Sequence, residues 1–156
     1  MAVSFVEERK RVIRQQQDAL RELSTPVLQV RERLLILPII GVLDGQRARQ
    51  LTEQLLRGIR TNRARVVVID ITGVPAIDST VANHLVQTVD ASRLMGASVI
   101  ITGLSSEIAQ TLVTIGVDLS KVNAVGDLQG GIEEAERLLG FKVIRRDDDV
   151  APLPGG

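Results

Sequence analysis

The stretch Val66-Val67-Val68-Ile69-Asp70-Ile71-Thr72-Gly73-Val74-Pro75-Ala76-Ile77-Asp78-Ser79-Thr80 decides the fold. Its first four residues are β-branched with no polar alternation, which predicts a strand covered on both faces. Gly73 and Pro75 then interrupt the pattern, so Ile71 to Ile77 reads as a loop. Asp78, Ser79 and Thr80 stand just before a helical periodicity running from Ser79 to Met95. Its inward candidates are Ala82, Leu85, Val86, Val89 and Leu94. A buried strand, a loop and a capped helix together make half of a parallel crossover.

The same alternation continues on both sides. Upstream, Val27 to Val30 is extended, Arg31-Glu32-Arg33 turns, and Leu34 to Ile40 is a strand. Pro38 denies that strand one ladder donor and predicts an edge or a bulge. After a loop over Gly41 to Gly45, Gln46 to Ile59 carries Ala48, Leu51, Leu55 and Ile59 on one helical face. Downstream come a buried strand at Val99 to Ile101 and a helix from Ser105 to Ile115, stopped by Gly116. A short strand at Val122 to Val125 follows. Asp127 then caps a last helix with the stripe Leu128, Ile132, Ala135 and Leu139. The expected fold class is α/β: a mostly parallel central sheet with an N-terminal antiparallel hairpin strand, flanked by about four helices.

Composition sets the boundaries. The chain has 156 residues, a length for one domain, and residues 25–143 hold almost all its Val, Ile, Leu and Gly. Residues 1–24 are polar and read as a linker helix. Val6, Ile13 and Leu20 recur every seven residues, but Arg9 and Gln16 occupy two of the three matching positions, a weak coiled-coil seam. That segment is either a solvated extension or a helix that joins an upstream element or pairs with a copy of itself. Residues 144–156 contain Asp147-Asp148-Asp149 and two prolines, and are expected to be a disordered tail.

Lys plus Arg and Asp plus Glu each number 19, so zero net charge gives no reason to expect nucleic acid as partner. There is no cysteine, one histidine and only two aromatic residues. Thiolate catalysis, cysteine-ligated metal and aromatic base stacking are therefore excluded. No apolar run approaches a membrane span and no signal-peptide segment is present, so the expectation is a cytoplasmic protein with no membrane partner. The phosphate-binding glycine motifs and the Gly-x-Ser-x-Gly elbow are missing. His84 has no nucleophile at suitable spacing. No metal site, cofactor or catalytic residue is expected, and the chain reads as a non-enzyme.

Two hydroxyl clusters remain. At Asp78-Ser79-Thr80 either Asp78 or Ser79 serves as N-cap. Ser79 is also a candidate phosphoacceptor, because a helix start tolerates the roughly −1.5 to −2 added charges that a docked partner would not. On the following helix, Glu107, Thr111 and Thr114 share a face turned away from Ile108, Leu112 and Ile115. Thr111 is either an inert surface threonine or a second regulated site.

The Val66–Thr80 run resembles the signature of STAS domains, the sulfate-transporter and anti-sigma-factor-antagonist fold. Ala91-Ser92-Arg93-Leu94-Met95-Gly96-Ala97, Ile101-Thr102-Gly103-Leu104 and the stretch Glu107 to Ser120 resemble RsbR-type stressosome proteins. The resemblance covers about residues 25 to 143. It implies a phosphorylation-switched scaffold that co-assembles with an RsbS-like STAS protein and sequesters an RsbT-like serine/threonine kinase. It also implies self-association as a dimer and in a larger assembly. By the same resemblance the phosphoacceptors are Ser79 and Thr111. RsbR-like members usually carry threonine at the first position, so Thr80 stays an alternative there, and Asp78 and Glu107 are the interaction residues beside the switch. RsbR-like proteins carry an N-terminal sensory domain, and residues 3 to 23 look like its joining helix. The nearest alternative is a single-domain antagonist that binds an anti-sigma factor. A phosphoaspartate receiver built on Asp70 is disfavoured, because only Asp44 follows the Leu34–Ile40 strand where a receiver needs an acidic pair.

Overall fold

The computed structural model describes residues 27–117 and 122–141. The linker helix expected over 1–24 and the tail expected over 144–156 lie outside the described residues. In chain order the elements are β1 (Leu28–Arg31), β2 (Leu34–Ile40), α1 (Gly45–Asn62), β3 (Val66–Gly73), α2 (Ser79–Leu94), β4 (Ser98–Thr102), α3 (Ser106–Thr114), β5 (Asn123–Val125) and α4 (Leu128–Leu138). The five strands lie side by side in sequence order. β1 pairs antiparallel with β2, and the remaining neighbours are parallel.

Alternation along each strand divides the core in two. Leu35, Leu37 and Ile39, with Val67, Ile69 and Ile71, and with Val99 and Ile101, meet the buried faces of α1, α2 and α3. Leu34, Ile36, Val66, Val68 and Ile100 meet Ala135 of α4 on the other face. The topology explains this split. A strand order that only advances, crossed over with one hand, puts every connecting helix on the same side. α4 follows the last parallel strand and is the helix left to cover the opposite side. The α1 stripe is buried at the four expected residues, Ala48, Leu51, Leu55 and Ile59.

Of the edge or bulge expected at Pro38 the structure shows the bulge, and two other expectations are corrected. Pro38 does not make β2 an edge strand, since β2 lies between β1 and β3. β1 pairs only as far as Ile36, and the register with β3 shifts between Pro38 and Ile40, so the missing donor falls at a bulge. The expected loop from Ile71 begins later, because β3 runs on to Gly73. Leu94 does not point inward: it is 90% exposed. The buried positions near it are Thr88 and Ser92. Their hydroxyls donate to the His84 and Thr88 carbonyls at 2.8 Å each, so burial leaves no orphan donor.

Two close approaches fix the packing at the C-terminal ends of the strands. A Cβ on Gly103, at φ +77°, would lie 2.1 Å from Thr72 Oγ1 and 2.6 Å from the Thr72 amide nitrogen. A Cβ on Gly131 would lie 2.3 Å from Thr102 Cγ2, and Thr102 is completely buried. Gly131→Ala is therefore expected to cost about 1–3 kcal/mol in urea unfolding, overcoming the gain of about 1 kcal/mol in helix propensity. Leu94→Gln should stay within about 0.5 kcal/mol of wild type in the same measurement.

Candidate functional site

Asp78 has the extended backbone of an N-cap, and its Oδ1 accepts from the Val81 amide at 2.8 Å. Its own carbonyl accepts the first helical bond, from Ala82 at 2.9 Å. The cap is thus Asp78 and not Ser79. Ser79, the first residue of α2, is exposed, and its hydroxyl has no hydrogen-bond partner among the described residues. Separating cap from hydroxyl is what a modifiable site requires: the helix start is held by one side chain and the neighbouring oxygen is left to solvent. Thr80 is also exposed, but its Cγ2 lies 3.9 Å from the ideal Cβ position of Gly45, so its methyl is turned toward the start of α1.

The α1 start is built alike. Asp44 accepts from the Arg47 amide at 2.8 Å, and the Arg47 guanidinium donates to the Val42 carbonyl at 2.9 Å. Gly41 N–H donates to the Gly73 carbonyl at 3.0 Å, which ties the β2–α1 loop to the end of β3. The starts of α1 and α2 therefore form one surface. Beside them Ile40 and Val42 are 67% and 78% exposed. Apolar side chains left open next to an unpartnered hydroxyl suit a protein contact that charge on the hydroxyl would disturb.

Behind this surface, Asp70 Oδ1 accepts from Thr72 Oγ1 at 2.8 Å and from Thr102 Oγ1 at 2.7 Å. One carboxylate oxygen thus joins the ends of β3 and β4, the strands that deliver α2 and α3. In α3, Ser105 caps through the Ile108 amide at 3.1 Å, and Glu107 is exposed in the first turn. Thr111 is half-buried and donates to the Glu107 carbonyl at 3.0 Å, whereas Thr114 is exposed. Ile108 and Leu112 share a core with Val81, Ala82 and Leu85, so α2 and α3 cover the same side of the sheet. Thr111 lies about 7 Å down α3 from its first residue. His84 is half-buried in α2. Among the described residues no group of His, Asp or Glu could hold a metal ion, and no helix is long and apolar enough to cross a membrane.

This geometry separates two neighbouring substitutions. Asp78→Ala should lower unfolding stability by about 1 kcal/mol, through loss of the cap. Ser79→Ala should leave it within about 0.5 kcal/mol. Thr111→Ala should fold normally, since alanine suits a helix and the released carbonyl stays paired in the helix. Urea titrations of the three variants check the set.

The STAS domain family profile matches residues 25–126. The RsbT co-antagonist protein RsbRA of Bacillus subtilis (strain 168) is 43% identical over 129 residues, 83% of this chain and 47% of that protein. The chain therefore spans just under half the length of this relative. Among solved structures, an RsbS variant from Moorella thermoacetica superposes with TM-score 0.67 and 28% identity over 75% of this chain and 98% of its own. A chain of the stressosome, described as a signal integration and transduction hub, superposes with TM-score 0.61 and 25% identity over 73% of this chain and 98% of its own. The family profile, the identity to this relative and the superposed structures agree, and the chain belongs to the STAS domain family.

Proposed function

We infer that this chain is the STAS module of an RsbR-type stressosome protein, a non-enzymatic scaffold whose contacts are switched by phosphorylation. It co-assembles with an RsbS-like STAS protein and restrains an RsbT-like serine/threonine kinase. The observation that carries the reading is the exposed, unpartnered Ser79 hydroxyl beside a cap supplied by Asp78. The identity to a protein named as an RsbT co-antagonist supports the choice of partner.

The mechanism needs no change of fold. A phosphate on Ser79 enters at the positive end of the α2 dipole, where the host helix tolerates it. A protein lying across Ile40, Val42 and the α2 start meets about two negative charges where it expected a neutral hydroxyl. A penalty of about 1.4 kcal/mol already weakens binding tenfold, and desolvating a phosphate costs more than that. Thr111 is the second acceptor. Its hydroxyl is committed to the Glu107 carbonyl and half-buried, so modification there breaks that bond and turns the side chain outward. Asp78 and Glu107 supply the negative surroundings in which each added phosphate makes the repulsion steeper. The capping geometry favours Ser79 over Thr80, whose methyl is turned toward α1.

The test is incubation with an RsbT-like kinase, an RsbS-like partner and ATP, followed by mapping of the modified residues. Phosphate on Ser79 and Thr111, with release of the kinase from a large co-assembly, is the expected result. Ser79→Asp should weaken kinase retention tenfold or more while unfolding as wild type does. Retention unchanged in Ser79→Asp, or modification confined to other residues, overturns the reading.

A further inference from the structure

The end of the sheet remote from Ser79 carries the opposite charge. There an open groove of about 520 Å³ is lined by Arg60, Arg63 and Arg65, with Ile59 and Met95 contributing its apolar part. Backbone bonds hold its walls together. The Arg33 carbonyl accepts from the Arg65 and Val66 amides at 2.9 and 3.1 Å, and the Arg65 carbonyl accepts from the Ser98 amide at 2.8 Å. The β1–β2, α1–β3 and α2–β4 turns therefore form one frame, which carries Arg33, Arg63 and Arg65 against one acid, Glu32. Arg33, Arg60, Arg63 and Arg65 are exposed, and none pairs with a carboxylate among the described residues. The C-terminal dipole of α1 accounts for Arg60 and Arg63, which lie at the end of that helix. It does not account for Arg33 or Arg65. Arg33 and Arg63 also have φ of 69° and 51°, where glycine or asparagine fits better. Guanidinium groups gathered round one concavity, two of them on strained backbone, suit a phosphate.

The chain carries the matching face at its other end. Around Ser79 the exposed carboxylates of Asp44 and Asp78 stand with the exposed side chains of Ile40 and Val42. Arg47 is the cation there, and its guanidinium is held on the Val42 carbonyl. The groove end answers with Met95 and with its exposed neighbour Leu94. Each face is apolar with charge beside it, and the charges are opposite. The two faces cannot meet within one molecule, because the eight residues of β3 hold them about 25 Å apart. They can meet between two.

We propose that the arginine groove receives the phosphorylated Ser79 of a second copy of this chain. This contact rests on the reading of Ser79 as a phosphoacceptor. The phosphate brings roughly −1.5 to −2 charges and three acceptor oxygens to the start of α2, beside the Asp44 and Asp78 carboxylates. Guanidinium forks bind such oxygens bidentately. The group that repels a partner fitted to a neutral hydroxyl is therefore attracted by a neighbour's groove. The joined surfaces differ, so each copy in a row keeps one face to give and one to receive. Modification then exchanges partners at the α2 start instead of leaving it bare.

The test uses the full chain with phosphoserine installed at position 79 by synthesis, so its result does not depend on which residue a kinase selects. A 15N-labelled chain carries this phosphoserine together with Arg63→Gly and Arg65→Gln, and can give its face but not receive one. Glycine suits the backbone at Arg63, and the Arg65 side chain is exposed. A second chain without 15N, with Ser79 unmodified and its groove intact, bears a nitroxide on Thr61→Cys, an exposed position beside the groove in a sequence with no other cysteine. At about 0.01 M salt, where the screening length is about 30 Å, the Val42, Thr80 and Val81 amide signals of the 15N chain should weaken several-fold, and those of Ala64 and Gly96 should not. Leaving Ser79 of the 15N chain unmodified should restore them, as should Arg63→Gly with Arg65→Gln in the spin-labelled chain. Titration should show binding weaker by about tenfold or more in each case. Broadening at Ala64 and Gly96, broadening as strong without phosphate, or broadening that survives loss of both arginines overturns the proposal, as does its absence. A kinase that leaves Ser79 unmodified overturns the reading above and not this contact, whereas a phosphorylated chain that fails to bind overturns this contact and not that reading.

Discussion

Covering both faces of β2, β3 and β4 is the constraint from which the rest of the structure follows. These strands have apolar side chains at consecutive positions, so neither face can meet water. At roughly 25 cal/mol per Å² of apolar area, exposing either face would exceed the net stability of a domain this size. Parallel pairing answers the constraint, because each crossover lays a helix on the sheet. Three crossovers fill one side, and α4 must fill the other. Gly131 shows how closely α4 does so: it sits where any side chain would strike Thr102.

That solution also determines where chemistry can sit. In a parallel sheet all helices start at the same end, so their free amides and their caps gather there. Asp44, Asp78, Ser105 and Asp127 each accept from an amide of the first turn. The helix C-termini gather at the other end, where positive side chains are favoured. The molecule therefore acquires an acidic pole and a basic pole from topology, although its formal net charge is zero.

Reading the sequence recovers these elements unevenly, and the reasons are physical. The α1 stripe was legible because four apolar residues at helical spacing leave one face to bury. α2 was less so. Hydropathy marks Leu94 as inward and Thr88 as outward, yet Leu94 is exposed and Thr88 is buried against α1, where its hydroxyl meets that of Thr52 at 2.5 Å. A threonine that donates to its own helix is nearly apolar, a property of the folded backbone that composition does not carry. Pro38 pointed to a bulge or an edge, and only the pairing of both neighbours decides between them. At the site, Asp78-Ser79-Thr80 was visible as a cap with hydroxyls, but which residue capped needed the backbone angles. At the opposite end of the sheet Arg60, Arg63 and Arg65 stand together in the sequence, at the end of α1 and its turn into β3, and strand pairing adds Arg33, whose carbonyl accepts from the Arg65 amide.

The two-pole arrangement bears on how such a domain is switched. A phosphate added at the acidic pole meets the α2 dipole, but Asp78 has already accepted one of its amides. Part of the local positive potential is spent before modification. The added charge is therefore compensated enough for the helix to persist and not enough for the surface to remain neutral. What changes is the field seen by a partner at that pole. The arginine pole lies at the other end of the strands, about 25 Å away along the eight residues of β3, so its exposed contacts feel the added charge weakly at physiological salt. A domain built this way can keep one set of neighbours while releasing another, which is what a scaffold inside a signalling assembly has to do.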